Sequence, residues 1–245
     1  HATDAGVEAR ARALAAGMQA AHGLKAGDRV AIFMKNCPAY LELLYAVWWF
    51  GGVAVPVNNK LHPREVAWIV GDSAAALLVS DDGGVGAAAG NGAGGLPEGC
   101  AEIAAGSPEW AALSAHGEGS VRPARVAADD TAWLFYTSGT TGRPKGVMLT
   151  HWNLRAMTLA YALDVDQPGP EQATLYAAPV SHGAGVYNFI FVRVGARHVF
   201  PPSRGFEPGE IEALSRHFGA VVMFAAPTMV KRMIEAAKLS GWRGE

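Results

Sequence analysis

With 245 residues, half of them hydrophobic and 17% charged, the chain is long enough to bury a substantial core and is not of disordered composition. Its formal net charge of −2 gives no basis for binding nucleic acid or an anionic membrane surface. No apolar run approaches the roughly 20 residues of a membrane span, no signal peptide is visible, and the two cysteines, Cys37 and Cys100, have neither disulfide-framework nor metal-ligand spacing. A reducing cytoplasm is the expected compartment.

Val7, Ala11, Leu14 and Met18 share one helical face over residues 1–22, and Gly23 suits the stop. Arg29–Met34 has the look of a strand. Pro38 opens a helix whose apolar positions are Leu41, Leu44, Tyr45, Trp48 and Trp49, and the Trp-Trp pair belongs to its core face. Val53–Val57 is the next strand, followed by a helix near Pro63–Val70 and a strand at Ala76–Ser80. This alternation predicts a parallel sheet with right-handed crossovers.

Residues 83–95 hold seven glycines, among them a formal G-x-G-x-x-G from Gly90 to Gly95. Polyalanine precedes it and Leu96-Pro97 follows, so the strand and helix that a dinucleotide site needs are missing. The stretch is expected to be a flexible surface excursion. Ala132–Tyr136 is a buried-strand run, and Thr150 caps a helix carrying Leu154, Met157 and Tyr161. After the breakers Gln167–Pro170, a second alternation places strands at 173–178, 196–200 and 220–225. Helices start near Ala184 and cover 208–218 and 227–239.

The chemistry concentrates between the buried strand and the capped helix, in Tyr136-Thr137-Ser138-Gly139-Thr140-Thr141-Gly142-Arg143-Pro144-Lys145-Gly146. Glycines allow close backbone approach, hydroxyls and N–H groups suit an anion, and Lys145 adds a mobile positive charge. A nucleotide P-loop counted from Gly139 fails twice, at Pro144 and at Gly146.

The stretch instead resembles the phosphate-binding signature of the adenylate-forming (AMP-binding) superfamily, which includes acyl-CoA synthetases, adenylation domains of peptide synthetases and beetle luciferases. Four further motifs are similar in order: Gly27–Ala31, Gly51–Asn58, Pro179-Val180-Ser181-His182-Gly183-Ala184-Gly185, and Phe224–Met229. The resemblance implies an α/β fold of two parallel-sheet αβ lobes, the large N-terminal domain of such an enzyme. The first lobe would span 1–170 and the second 171–245, with helix 1–22 packing on the second and the C-terminal domain absent. The chain starts at His1 and stops directly after a helical pattern, so a fragment, inactive alone, is expected.

By the same resemblance the parent is an AMP-forming acyl-CoA synthetase. It would activate a fatty or aromatic carboxylic acid with ATP to an acyl-adenylate and pass the acyl group to coenzyme A. Thr137, Ser138, Gly139, Thr140, Thr141, Gly142 and Lys145 would hold the phosphates of ATP or AMP. Mg²⁺ would lie near Thr140 or Thr141, and the residues do not choose between them. His182 would border the carboxylate and the thiol entrance, with Ser181 where many members carry an aromatic gate. Gly183, Ala184 and Gly185 either leave room for the acyl group or permit tight helix packing. The expected partners are small molecules, with no nucleic acid and no membrane span, and composition sets no oligomeric state. An adenylation domain loading a carrier protein and a non-catalytic nucleotide- or acyl-binding module are the alternatives.

Overall fold

The computed structural model describes residues 4–90, 95–116, 122–137 and 143–244. These fall into two compact units. One holds residues 1–34 and 38–154, the other residues 35–37 and 155–245.

The first unit is built on a six-stranded sheet of order β4-β3-β1-β2-β5-β6. The strands are β1 (Arg29–Phe33), β2 (Val53–Pro56), β3 (Ala75–Ser80), β4 (Ala101–Ala104), β5 (Thr131–Thr137) and β6 (Lys145–Thr150). All neighbours run parallel except β5 and β6, which are antiparallel. β2 is buried throughout and β3 nearly so, the near-continuous apolar run expected of parallel strands covered on both faces. Helices α1 (Asp4–His22), α2 (Pro38–Trp49), α3 (Pro63–Asp72), α4 (Val85–Ala89) and α5 (Pro108–Ser114) complete the unit. α3 closes one part of the core by setting Val66, Ile69 and Val70 against Val55, Leu78 and Tyr136. Each such aliphatic side chain contributes about 1.5–3 kcal/mol through burial.

Two expectations change here, those for the Gly-rich excursion and for residues 145–150. Within the first unit α1 packs on α2 and α5, where Arg10 Nε meets Glu42 Oε1 at 2.7 Å. Gly17 lies so close to Leu113 that an added Cβ would come within 2.4 Å of its carbonyl oxygen. The Gly-rich excursion, in its described part, contains α4, with Val85 and Ala89 buried. The Val85 and Gly86 amides at its start donate to the Glu102 carboxylate at 2.7 and 3.1 Å. The expected mobility of residues 91–94 falls outside the described residues. Finally, residues 145–150 are not a mere lead into the helix cap but an edge strand.

The division between units falls inside α6 (His151–Ala160), earlier than the breaker cluster at 167–170. The physical reason is Tyr161, which packs with Ile190, Phe191 and Ala196 of the second unit. α6 continues into a π-helical turn, Tyr161–Val165. Three parallel strands follow in order β8-β7-β9: β7 (Ala173–Leu175), β8 (Arg197–Val199) and β9 (Val221–Val222). The helices are α7 (Gly183–Val186), α8 (Asn188–Val194), α9 (Pro208–Phe218) and α10 (Pro227–Ser240). Leu175, Ala177 and Ile211 form a core cluster, with Met229 and Met233 of α10 packed against it. No helix among the described residues is long and apolar enough to cross a membrane.

Candidate active site

The glycine- and hydroxyl-rich stretch closes the β5–β6 hairpin. Thr137 and Lys145 are register partners, both exposed, and Tyr136 faces Gly146 one step further in. Ser138, Gly139, Thr140, Thr141 and Gly142, five of the seven residues expected to bind phosphate, lie outside the described residues, as do both candidates for a metal-bearing hydroxyl.

The described flanks explain the first and last letters of the motif. Tyr136 is buried, 8% exposed, and its hydroxyl donates to Asp72 Oδ2 at the end of α3, at 2.7 Å. Trp68 meets its ring edge-on with centroids 6.3 Å apart. Burial, followed by the hydrogen bond and charge of Asp72, raises the phenol well above its ordinary value, so it remains a donor. The ring lies where a Cβ on Gly146 would have to go, 2.9 Å from that position. Tyr136 and Gly146 therefore act together as a seat for the loop, and the polar letters lie between them.

Beyond the hairpin, Thr150 caps α6 as expected. Its Oγ1 accepts the Asn153 amide at 3.1 Å, and its own amide donates to Asn153 Oδ1 at 3.0 Å. Among the described residues no three His, Cys, Asp or Glu side chains gather to hold a metal ion. A hard cation that binds through phosphate oxygens, waters and a hydroxyl needs no such cluster.

In the second unit, His182 immediately precedes α7 and is half-buried. Its Nδ1 lies 2.8 Å from the Ser181 carbonyl oxygen. A carbonyl only accepts, so Nδ1 is the donor of this bond. Ser181 is buried, 5% exposed. The small residues after His182 divide between the two roles left open by the sequence. Gly183 serves packing, since a Cβ there would meet the Phe224 ring at 2.8 Å. Gly185 offers its carbonyl to Asn188 Nδ2, while Ala184 forms part of a cavity wall.

The segment carrying His182 is held by a residue that sequence reasoning missed. Asn36, 5% exposed, donates from Nδ2 to the carbonyls of Tyr176 and Ala178 at 2.7 and 2.8 Å, and accepts the Val180 amide at 3.0 Å. Its own carbonyl is held by Arg204 Nε at 3.2 Å. The cavity was also missed. It measures about 270 Å³ and is lined by Tyr161, Thr174, Ala184, Tyr187, Phe191 and Phe224, among others. No local pattern announces it, because its walls come from stretches more than sixty residues apart.

A model of the AMP-binding enzyme family matches residues 2–243. The chain belongs to the AMP-binding enzymes. Within that family it is 34% identical over 227 residues to a feruloyl-CoA synthase of Amycolatopsis, covering 93% of this chain and 44% of that protein. The chain thus spans less than half the length of that relative. Its fold matches the inhibitor-bound N-terminal domain of FACL13 from Mycobacterium tuberculosis, with TM-score 0.83 and 27% identity over 94% of this chain and 57% of that one. It also matches o-succinylbenzoate coenzyme A synthetase of Bacillus subtilis in complex with AMP, with TM-score 0.79 and 25% identity over 95% and 57%. The fold is an α/β fold with parallel sheets that corresponds to part of the N-terminal domain of adenylate-forming, acyl-CoA ligase-like enzymes.

Proposed function

We propose that this AMP-binding chain provides the ATP-phosphate loop and part of the acyl site of an AMP-forming acid–thiol ligase. The acid is a fatty or aromatic carboxylic acid and the acceptor is coenzyme A. The observation that carries the reading is the hairpin closure, where Thr137 and Lys145 stand opposite each other and the seat made by Tyr136 and Gly146 lies directly beneath. The AMP held by the o-succinylbenzoate relative and the coenzyme A in the names of both synthetases support it.

The chain's own work is positioning and charge. Lys145 and the loop hydroxyls and amides bind the β- and γ-phosphate oxygens, and fixed donors aimed at growing charge lower the barrier without reorganising. Mg²⁺, when bound, neutralises phosphate charge, and Thr140 or Thr141 is the hydroxyl that would hold it. His182, with Nδ1 donating to its own backbone, would border the acyl carboxylate, and at Nε2 could accept a hydrogen bond only from the thiol.

The test is Mg²⁺-dependent binding of ATP and pyrophosphate by the 245-residue chain, measured by calorimetry beside Lys145→Ala. Binding that ignores Mg²⁺ and Lys145 would remove the phosphate assignment.

A further inference from the structure

The cavity of the second unit has walls more specific than an acyl group in general requires. Three ring pairs line it. Tyr161 and Tyr187 have centroids 5.3 Å apart at 54°, Tyr161 and Phe191 are 6.0 Å apart at 66°, and Tyr187 and Phe224 are 5.8 Å apart at 30°. These are the tilted and edge-on separations at which aromatic rings attract one another beyond simple burial. A guest ring entering the group can make the same contacts, whereas an alkyl chain gains only buried area.

Size narrows the guest further. A cavity of about 150 Å³ lined by aliphatic and aromatic side chains takes one benzene. Set against that benzene cavity, this one of about 270 Å³ has room for a ring, a ring substituent and a short side arm. A chain of twelve or more carbons would have to leave the cavity.

The walls are not wholly apolar. Thr174, 5% exposed, lines the cavity together with the phenols Tyr161 and Tyr187. Burial first, then Asp166 and Tyr187, raises the Tyr161 phenol above its ordinary value, so it stays protonated as a donor. A ring hydroxyl entering beside these residues could hydrogen-bond with them, which an alkyl tail cannot do. Tyr161 and Val165 both lie on the π-helical turn, a distortion that recurs at functional sites. Ala184, two residues after His182, leaves the room that a larger side chain would fill.

We propose that this cavity receives an aromatic ring bearing a hydrogen-bonding substituent, so that the acid activated is a hydroxylated aromatic acid. The proposal rests on the carboxylate-activation reading above and specifies its substrate class.

The experiment is calorimetric titration of the 245-residue chain with 4-hydroxycinnamate, cinnamate, octanoate and dodecanoate, without nucleotide. The expected order is 4-hydroxycinnamate tightest, on the order of ten-fold over octanoate, with cinnamate between and dodecanoate no better than octanoate. Ala184→Leu fills the cavity from within. Val165→Trp narrows it from a position 68% exposed, where folding is little burdened. Each should weaken 4-hydroxycinnamate about ten-fold or more while the circular dichroism spectrum is kept. Octanoate binding as tightly as 4-hydroxycinnamate, affinity climbing with chain length, folded variants that bind normally, or no binding by any of the four acids would each overturn the proposal. These outcomes are separate from the nucleotide titration. Loss of Mg²⁺-dependent ATP binding would sink the phosphate reading while leaving the ring preference as measured.

Discussion

The side chain of Asn36 accepts the backbone amide of Val180 at 3.0 Å, across 144 positions of sequence. With its two donated bonds to Tyr176 and Ala178, this amide replaces a neighbouring strand along the approach to His182. Arg204, in a left-handed conformation at φ 58°, secures the carbonyls of Lys35 and Asn36 behind it. Asn36→Ala would strand one buried N–H and two carbonyls. Since each costs about 1–3 kcal/mol, a loss of at least about 3 kcal/mol is expected in urea denaturation. Asn36→Asp is nearly isosteric but cannot donate, so it should recover little of that loss at neutral pH. Near-native stability in both variants would show that the clamp contributes nothing.

A second prediction reverses a general rule. Glycine inside a helix usually costs about 0.5–1 kcal/mol relative to alanine. Gly17 lies inside α1, yet a Cβ there would reach the Leu113 backbone at 2.4–2.8 Å. Backbone cannot swing aside as a side-chain tip can. Gly17→Ala should therefore destabilise the chain by about 1–3 kcal/mol, read as a lower urea midpoint at unchanged slope. A raised midpoint would mean that α1 and α5 can part at little cost.

For the phosphate loop, Lys145→Ala removes one of two described cations at the hairpin's mouth, Arg143 being the other. A charge-assisted hydrogen bond contributes about 1.5–3 kcal/mol, so the Kd for ATP should rise by roughly 10–150-fold. The affinity for 4-hydroxycinnamate should stay as it was. A change in the acid with ATP unaltered would reverse the assignment of these two sites.

Cys100 supplies a pH test. Burial, followed by the Glu102 carboxylate, pushes its thiol up to about 11, while a bond from the backbone opposes the rise. The folded state thus favours the neutral thiol. That contribution to stability is intact below the ordinary thiol range and fades as pH rises toward 11. Alkylation by iodoacetamide at pH 8, in a Cys37→Ser background, should run on the order of a hundred-fold slower than in denaturant. Equal rates would show Cys100 to be open to solvent.

The chain's own periodicity announced the elements with strong local grammar. Pro208 and Pro227 open α9 and α10 at their first turns, and Gly219 and Gly241 follow their ends. Three features had no such signal. The expected strand at 173–178 stops at Leu175: the Tyr176 amide still reaches Val199 of β8 at 2.9 Å, but the Tyr176 and Ala178 carbonyls go to Asn36 rather than to a sheet partner. β4 carries one strong strand former, Ile103, and its place beside β3 comes from the sheet. β6 exposes Val147 and Met148, so it lacked the inward–outward alternation of a half-buried strand. At the site, the loop letters and His182 were proposed on the resemblance alone, and five of those letters lie outside the described residues. Asn36 and the cavity were not, since both exist only once distant stretches meet.

The pairing of Tyr136 with Gly146 also acts as a ruler. It brackets a fixed number of residues between two points that cannot drift. A strand repeats every two residues, so slipping β6 by one position would turn Lys145 to the opposite face. The same slip would offer the Tyr136 ring either Lys145 or Val147, each with a Cβ, in place of the glycine it lies across. An inserted or deleted residue in this stretch therefore cannot be absorbed by shifting the hairpin. The length of this stretch should be held as strictly as the letters that bind phosphate.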